Sequence, residues 1–137
     1  ISDMFRGAVW FNHDLLDWNV SSAQKMHGMF RDATIFNGDI STWNVSSATD
    51  MGYMFYSASS FNGDLSTWDV SKVSRMSEMF LGASSFQGGD LSRWDVSSVL
   101  LMNGMFHDAT SFHGNINNWV VSNVTTMDHM FQGASSY

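Results

Sequence analysis

Residues 54–80 read MFYSASSFNGDLSTWDVSKVSRMSEMF, and the Met-Phe pair that opens this stretch also closes it. The pair recurs along the whole chain, in steps of 25 residues with one step of 26, beginning at Met4, Met29, Met54, Met79, Met105 and Met130. Five of the six tryptophans recur with the same steps, and the longer step contains one additional glycine, in Gly88-Gly89. A fixed period of this length is typical of a chain built from stacked copies of one structural unit.

One unit combines two kinds of apolar spacing. Six apolar residues are spaced by three, three, one, three and three positions, which predicts one face of a helix: Val73, Met76, Met79, Phe80, Ala83 and Phe86. Trp68 and Val70 lie two residues apart, which predicts a short strand with both side chains facing inward. Asn-Gly-Asp at 62–64 predicts a turn, because Gly and Asn tolerate positive φ. We therefore expect a strand, a helix and a turn in each unit, with Ser71 as the helix N-cap.

A single unit of this kind buries too little apolar surface to offset the entropy of ordering its backbone, so it needs neighbours. We predict an α/β solenoid, a curved leucine-rich-repeat-like stack of about five strand-helix-turn units with a parallel sheet on the concave side. The predicted curvature follows because paired strands lie closer together than packed helices. The chain 1–137 would be one solenoid and an excerpt of a longer chain, with units near 4–28, 29–53, 54–78, 79–104 and 105–129 and a partial unit at 130–137.

The frame Leu65-x-x-Trp68-x-Val70-x-x-Val73 is similar to the leucine-rich-repeat frame, with Trp in its second slot. The whole unit, MFxxAxxFNxDLSxWDVSxVxxMxxMF, resembles the repeat of the BspA-like leucine-rich-repeat surface proteins of bacteria and protists. That resemblance implies an extracellular or cell-surface location and adhesion-type or structural roles. It implies no catalytic activity.

Composition argues against several classes of function. The net charge is −7 and no basic cluster occurs, which argues against binding to nucleic acid. No apolar run approaches the roughly 20 residues that span a bilayer, so we expect no membrane insertion within this segment. Cysteine is absent and the five histidines occupy different repeat positions, so we expect neither a metal nor another cofactor. Because every polar feature is repeated rather than singular, we expect no catalytic residue and no enzyme activity.

The main candidate site is a polar strip formed by residues that flank the tryptophans. It comprises Asn19, Asn44, Asp69 and Asp95 in one column of the stack, Ser46 and Ser71 in a second, and Thr42, Thr67 and Arg93 in a third. We predict that the strip binds a protein or glycan ligand, and a cation bridging Asp69 and Asp95 is one variant of this prediction. The alternative is that these side chains only form ladders and caps within the fold. A further column, Asp14, Asp39, Asp64 and Asp90, is expected to bond neighbouring backbone N–H groups.

Two other sets of residues depart from the core pattern. Tyr53, Tyr56, Leu81, Leu100 and Leu101 occupy positions that are polar or small in most other units, and they predict a convex patch for contact with another protein chain. Asn19, Asn44 and Asn123 begin Asn-x-Ser/Thr sequons, which are acceptor sites for N-glycosylation in a secreted eukaryotic protein.

Two functions follow as expectations. The first is a non-enzymatic cell-surface recognition or adhesion module that binds a protein or glycan through its concave polar strip. The second is a structural subunit or segment of an extracellular filament or coat, assembled by end-to-end and lateral packing, whose partners are copies of itself.

Overall fold

The computed structural model of the chain describes all 137 residues, and it contains no α-helix and no strand longer than an isolated bridge. Five parallel bridges occur, joining Lys25 to Asp50, Asp50 to Arg75, Arg75 to Leu101, Asp90 to Asn115 and Leu101 to Thr126. The prediction of an α/β solenoid with helices and a parallel sheet is therefore wrong. The protein is instead a stack of coils, each formed by one repeat.

Each coil is a series of tight turns closed by a backbone N–H and the carbonyl three residues earlier. In the central coil these bonds run from Ala58 to Phe55, from Phe61 to Ala58, from Trp68 to Leu65 and from Val73 to Val70. None of the 67 backbone–backbone hydrogen bonds joins an N–H to the carbonyl four residues earlier, which is the bond that defines an α-helix. The expected helix N-cap at Ser71 is absent with the helix.

Two positions in every coil, four residues apart, have left-handed backbone conformations, and these interrupt any right-handed helix. The first position has φ between 54° and 60° and holds Asp3, Gly28, Tyr53, Glu78, Gly104 and His129. The second has φ between 55° and 73° and holds Gly7, Asp32, Ser57, Gly82, Asp108 and Gly133. The apolar spacing of three residues comes from side chains at successive turns, which all point into the coil.

Hydrogen bonds between coils are concentrated in the segment that the periodicity predicts to be helical. Alternate N–H groups donate to carbonyls of the following coil, from Met51 to Arg75, Tyr53 to Ser77 and Phe55 to Met79, over 2.8–3.0 Å. The intervening N–H groups close turns within the same coil. We call this part of each coil the ladder segment; in the central coils it covers residues 49–57, 74–82 and 100–108.

The predicted strand is tied to its neighbour mainly through side chains. Four of the six tryptophans donate their indole N–H to a carbonyl of the preceding coil over 2.8–3.3 Å, from Trp43 to Leu15, Trp68 to Ile40, Trp94 to Leu65 and Trp119 to Leu91. The predicted contrast between strand and helix spacings does not exist in this structure. The inference that the polar strip is concave and the apolar patch convex therefore loses its basis.

The interior is one continuous apolar cluster of 35 buried residues. Phe30, Phe55, Phe80 and Phe106 stack coil upon coil with ring centroids 5.4–5.7 Å apart. Within a coil, each of these rings also stacks on a second phenylalanine at 3.8–4.0 Å. Trp68, Val70 and the six residues of the predicted helical face within 73–86 are buried as predicted. The repeat thus fixes which side chains form the core.

Candidate functional site

The Asn/Asp column of the polar strip is exposed, and each member is anchored by the serine two residues later. The backbone N–H and the hydroxyl of Ser71 both donate to Oδ1 of Asp69, over 3.0 and 2.6 Å. The same pair of bonds recurs at Asn19–Ser21, Asn44–Ser46 and Asp95–Ser97. These turns hold the column in one orientation before any ligand arrives.

One of the two polar atoms at the end of each side chain in this column forms no hydrogen bond within the protein. Both bonds end on Oδ1, so Oδ2 of Asp69, Oδ2 of Asp95 and Nδ2 of Asn44 have no hydrogen bond within the chain. Carboxylate oxygens accept hydrogen bonds from hydroxyl or amide groups, and an Asn Nδ2 donates them. From coil to coil, the column therefore presents the amide donors of Asn19 and Asn44, followed by the carboxylate acceptors of Asp69 and Asp95.

Hydrogen bonding also keeps the two aspartates charged. The hydroxyl of Ser71, followed by its N–H, lowers the pKa of Asp69 below its ordinary value, with a smaller contribution from Lys72. The hydroxyl and N–H of Ser97 lower the pKa of Asp95 in the same way. Both carboxylates are ionised at neutral pH, although the charge of Asp95 weakly raises the pKa of Asp69.

The structure brings four of the predicted strip residues around one shallow depression of about 310 Å³. Its lining consists of Ser66, Thr67, Trp68, Asp69, Val70, Arg93 and Asp95. Ser71 lies beside the depression as the hydrogen-bond partner of Asp69 but does not line it. The other predicted members lie on earlier coils outside it: Asn19, Asn44, Ser46 and Thr42. The depression has a cationic side at Arg93 and an anionic side at Asp69 and Asp95, which suits a polar ligand.

The threonines of the strip have a structural task as well. The hydroxyl of Thr42 donates to the Leu16 carbonyl over 3.2 Å, and that of Thr67 donates to the Ser41 carbonyl over 3.1 Å. Both bonds cross from one coil to the preceding one. Because each hydroxyl already donates its proton, a ligand could only donate a hydrogen bond to the threonine oxygen.

The turn aspartates bond to neighbouring backbone N–H groups, as predicted. Oδ1 of Asp39, Asp64 and Asp90 accepts from the serine N–H two residues later over 2.9–3.0 Å. Oδ1 of Asp14 accepts from the N–H of Asp39 on the next coil over 2.8 Å. This column supports the coil, and it lies apart from the exposed Asn/Asp column.

The predicted protein-contact patch lies along the ladder segments. Tyr53, Tyr56, Leu81 and Leu101 are half-buried, whereas 46% of Leu100 is exposed. Leu81 also lines a polar depression of about 470 Å³ with Glu78, Asn103, Gly104, His107, Thr126, Asp128 and His129. Two arginines, Arg31 and Arg75, lie against the tyrosines. The sequence prediction missed them, although Arg31 occupies the same repeat position as Tyr56.

The three sequon asparagines differ in the state of the nitrogen that would carry a glycan. Nδ2 of Asn123 donates to the Ser97 carbonyl over 2.7 Å. At Asn19 and Asn44 only Oδ1 is bonded. Modification at Asn123 would therefore break a bond between coils, whereas the other two nitrogens are unengaged.

Two general features complete the description of the surface. No group of three or more His, Cys, Asp or Glu side chains is arranged to hold a metal ion. No helix is present that is long and apolar enough to cross a bilayer.

Comparison with known proteins places the chain in a family. No curated protein matches it. The family described as "Mycoplasma protein of unknown function, DUF285" matches residues 1–89 and, in a second overlapping match, residues 64–137. The two matches together span the full sequence, as expected for a repeat protein in which one coil can align with another. The chain therefore belongs to the DUF285 family of Mycoplasma proteins of unknown function.

Proposed function

We propose that this chain is a non-enzymatic recognition module that binds a protein or glycan ligand at the cell surface through its polar strip. The observation that carries the proposal is the exposed column of Asn44, Asp69 and Asp95, each held by its serine with half of its head group unbonded. Side chains that are already ordered lose little conformational entropy when a ligand binds.

The ligand that fits this strip best is rich in hydroxyl or amide groups. Sugar hydroxyls both donate and accept, so they match a column that presents amides on its first two coils and carboxylates on the next two. Trp68 lines the same depression as Asp69 and Arg93, and it adds an apolar contact beside the polar ones. The surface location is supported by the resemblance of the repeat to that of the BspA-like surface proteins.

Binding of the labelled chain to an array of neutral, sialylated and sulfated glycans, with immobilised extracellular-matrix proteins beside it, tests this function. The triple variant Asn44→Ala, Asp69→Ala, Asp95→Ala should lose at least about tenfold in affinity for whichever ligand is found, which corresponds to about 1.4 kcal/mol. Asp128→Ala is the matched control, because it removes an exposed carboxylate from a different face. Equal binding by the triple variant would rule out the strip as the binding site.

The alternative function is a structural subunit or segment of a filament or coat. Leu100 and the half-buried Leu101 form an apolar pair on the ladder segment, which supports lateral packing of copies. Light scattering over a concentration series separates the two functions. Large particles that persist on dilution, and that disappear in a Tyr53→Ser, Tyr56→Ser, Leu101→Ser variant, would favour the structural alternative.

A further inference from the structure

A cluster of cations and aromatic rings lies on neighbouring ladder segments, away from the polar strip. Cζ of Arg31 is 4.7 Å from the ring centroid of Tyr56 and 5.4 Å from that of Tyr53. Cζ of Arg75 is 5.6 Å from the Tyr53 ring, and the two tyrosine rings are 5.9 Å apart. We call these four residues the Arg–Tyr cluster, because each guanidinium stacks on at least one ring.

The coil does not need these side chains in order to fold. Gly28 and Gly104 occupy the position of Tyr53 in other coils, and Leu101 occupies that of Arg75. Tyr53 has a φ of 59°, a conformation that a bulky residue seldom adopts. The fold imposes this conformation on every coil, and glycine adopts it without strain at Gly28 and Gly104, so the backbone does not require a tyrosine here.

The donors of both guanidinium groups are largely unused. Nε of Arg31 and Nε of Arg75 are shielded from solvent and have no hydrogen-bond partner. The nearest carboxylate oxygens are 3.5 Å from Arg31, on Asp32, and 3.9 Å from Arg75, on Asp50. Charge-assisted hydrogen bonds are about 2.7–2.9 Å long, so neither contact satisfies the guanidinium. The side chains of Arg31 and Arg75 are 28% and 36% exposed, which leaves them accessible to a partner.

We infer that the Arg–Tyr cluster binds a segment of a partner protein that carries carboxylates next to aliphatic side chains. A guanidinium fork receives a carboxylate in bidentate geometry. Leu81 follows Tyr56 in the same repeat position, and Leu101 is bridged to Arg75, so aliphatic contacts flank the cations. Tyrosine and arginine with apolar neighbours are the residues that dominate binding energy in protein interfaces.

The same surface does not suit a nucleic acid. Asp32 and Asp50 lie beside the two arginines, and Glu78 accepts a hydrogen bond from the Tyr53 hydroxyl over 3.4 Å. The whole chain has a net charge of −7. A phosphate backbone needs a continuous basic surface. A short peptide needs only one or two well-placed guanidinium groups.

A fluorescein-labelled peptide of alternating glutamate and leucine, followed by fluorescence anisotropy, tests the inference. The chain should bind it saturably below about 1 mM, the range of a weak specific contact. The double variant Arg31→Gln, Arg75→Gln should weaken binding at least about tenfold, and a peptide with glutamine in place of glutamate should bind equally poorly. Higher salt should weaken the interaction, because the two guanidinium groups are partly exposed.

Two control variants make the result specific. Lys72→Gln, Arg93→Gln removes the same amount of charge from the polar-strip side and should change affinity less than about twofold. Arg31→Lys, Arg75→Lys keeps the charge but loses the planar fork, so it should bind more weakly than the original chain. The triple variant of the polar strip should bind the peptide normally, so that failure of either proposal can be recognised separately.

Three results would overturn the inference. The first is the absence of saturable binding at the highest peptide concentration. The second is equal weakening by the Lys72, Arg93 control. The third is self-association of the chain that depends on Arg31 and Arg75 without any peptide binding, which would identify a second copy as the occupant of the cluster.

Discussion

The backbone N–H of Asn62 donates to Oδ1 of Asn37, 2.8 Å away on the preceding coil. Asn37 in turn donates its N–H to Oδ1 of Asn12, and Gln87 donates to Asn62. Asparagine side chains thus take the place of strand pairing at this edge of the stack, where only isolated bridges occur. Each such asparagine acts on the coil that follows it.

Replacing Asn37 by alanine should remove the acceptor for the Asn62 N–H and lower the free energy of unfolding by about 1 kcal/mol. The effect is modest because both residues are exposed and water can replace part of the bond. Urea unfolding followed by tryptophan fluorescence measures it. Asn118→Ala is the control, since Asn118 is exposed, and it should change stability by less than about 0.5 kcal/mol. Equal effects of the two substitutions would show that the bond from Asn62 to Asn37 does not stabilise the stack.

Phe55→Ala should destabilise the protein by about 3–5 kcal/mol, because it empties a fully buried site. Its ring stacks on Phe30, Phe61 and Phe80 at 5.6, 4.0 and 5.4 Å. Phe5 occupies the same repeat position but is only half-buried, so Phe5→Ala should cost clearly less. Thermal and chemical unfolding of both variants would check the difference, and similar losses would argue against the central stack as the main source of stability.

At the left-handed positions, replacing glycine by alanine should lower the free energy of unfolding, whereas replacing another residue by glycine should not. Gly82 has a φ of 69°, and a Cβ there would lie 3.5 Å from the Ser57 hydroxyl oxygen, which is ordinary contact. Gly82→Ala should therefore cost about 1–2 kcal/mol through backbone strain alone. Ser57 holds the equivalent position in the preceding coil with a φ of 55°. Ser57→Gly should be neutral or slightly stabilising in urea unfolding, and a large loss would show that its side chain matters more than its backbone.

Stability should fall in acid because of the serine-bonded aspartates. Hydrogen bonds from serines lower the pKa of Asp39, Asp64, Asp69, Asp90 and Asp95 below the unfolded value of 3.8. Their contribution is therefore fully present above about pH 4 and is lost as the pH falls through the lower folded values. Urea midpoints measured between neutral pH and about pH 2 should decline in that acid window.

An Asp69→Asn, Asp95→Asn variant isolates this effect. Asn44 makes the same two serine bonds as Asp69, so asparagine keeps the turn but cannot titrate. The variant should have a shallower decline in acid than the original chain. NMR titration of the carboxyl carbons gives the matching result directly, because Ser71→Ala should move the pKa of Asp69 upward. An unchanged pKa would contradict the assigned cause.

The repeat was sufficient to predict the core but not the elements that carry it. Met76, Met79 and Phe80 are buried as the spacing indicates. The same spacing fits both a helix and a series of turns, since both bring every third or fourth side chain to one side. The deciding signal was the second of the two left-handed positions, where every coil has Gly, Asp or Ser, such as Asp32, Ser57 and Gly82. These residue types favour left-handed turns.

The sequence predicts which residues of the candidate site align in columns, but it does not predict which side chains contact one another. Residues one repeat apart necessarily align, so the grouping of Thr67, Asp69, Arg93 and Asp95 around one depression follows from register. The stacking of Arg31 on Tyr56 was not foreseen, because a helical ladder segment would have directed these side chains differently. The serine bonds to Asp69 and Asp95 were likewise hidden by the expectation of a helix N-cap.

Most backbone hydrogen bonds between coils run in one direction, and this has an electrical consequence. The Tyr53 N–H donates to the Ser77 carbonyl, the Glu78 N–H to that of Asn103, and the Gly104 N–H to that of Asp128. Three further chains of peptide groups run in the same direction. The opposite direction has two shorter series, one through Gln24, Thr49, Ser74 and Leu100 and one through Thr34, Ser59 and Ser85, together with bonds from His113 to Gln87 and from Asn115 to Gly89.

Aligned peptide groups add their dipoles, each about 3.5 D, as they do along a helix. The stack therefore carries a macrodipole built from many coils, with its positive end towards the coil of Met130 and its negative end towards that of Met4. An anion is favoured at the positive end and a cation at the negative end.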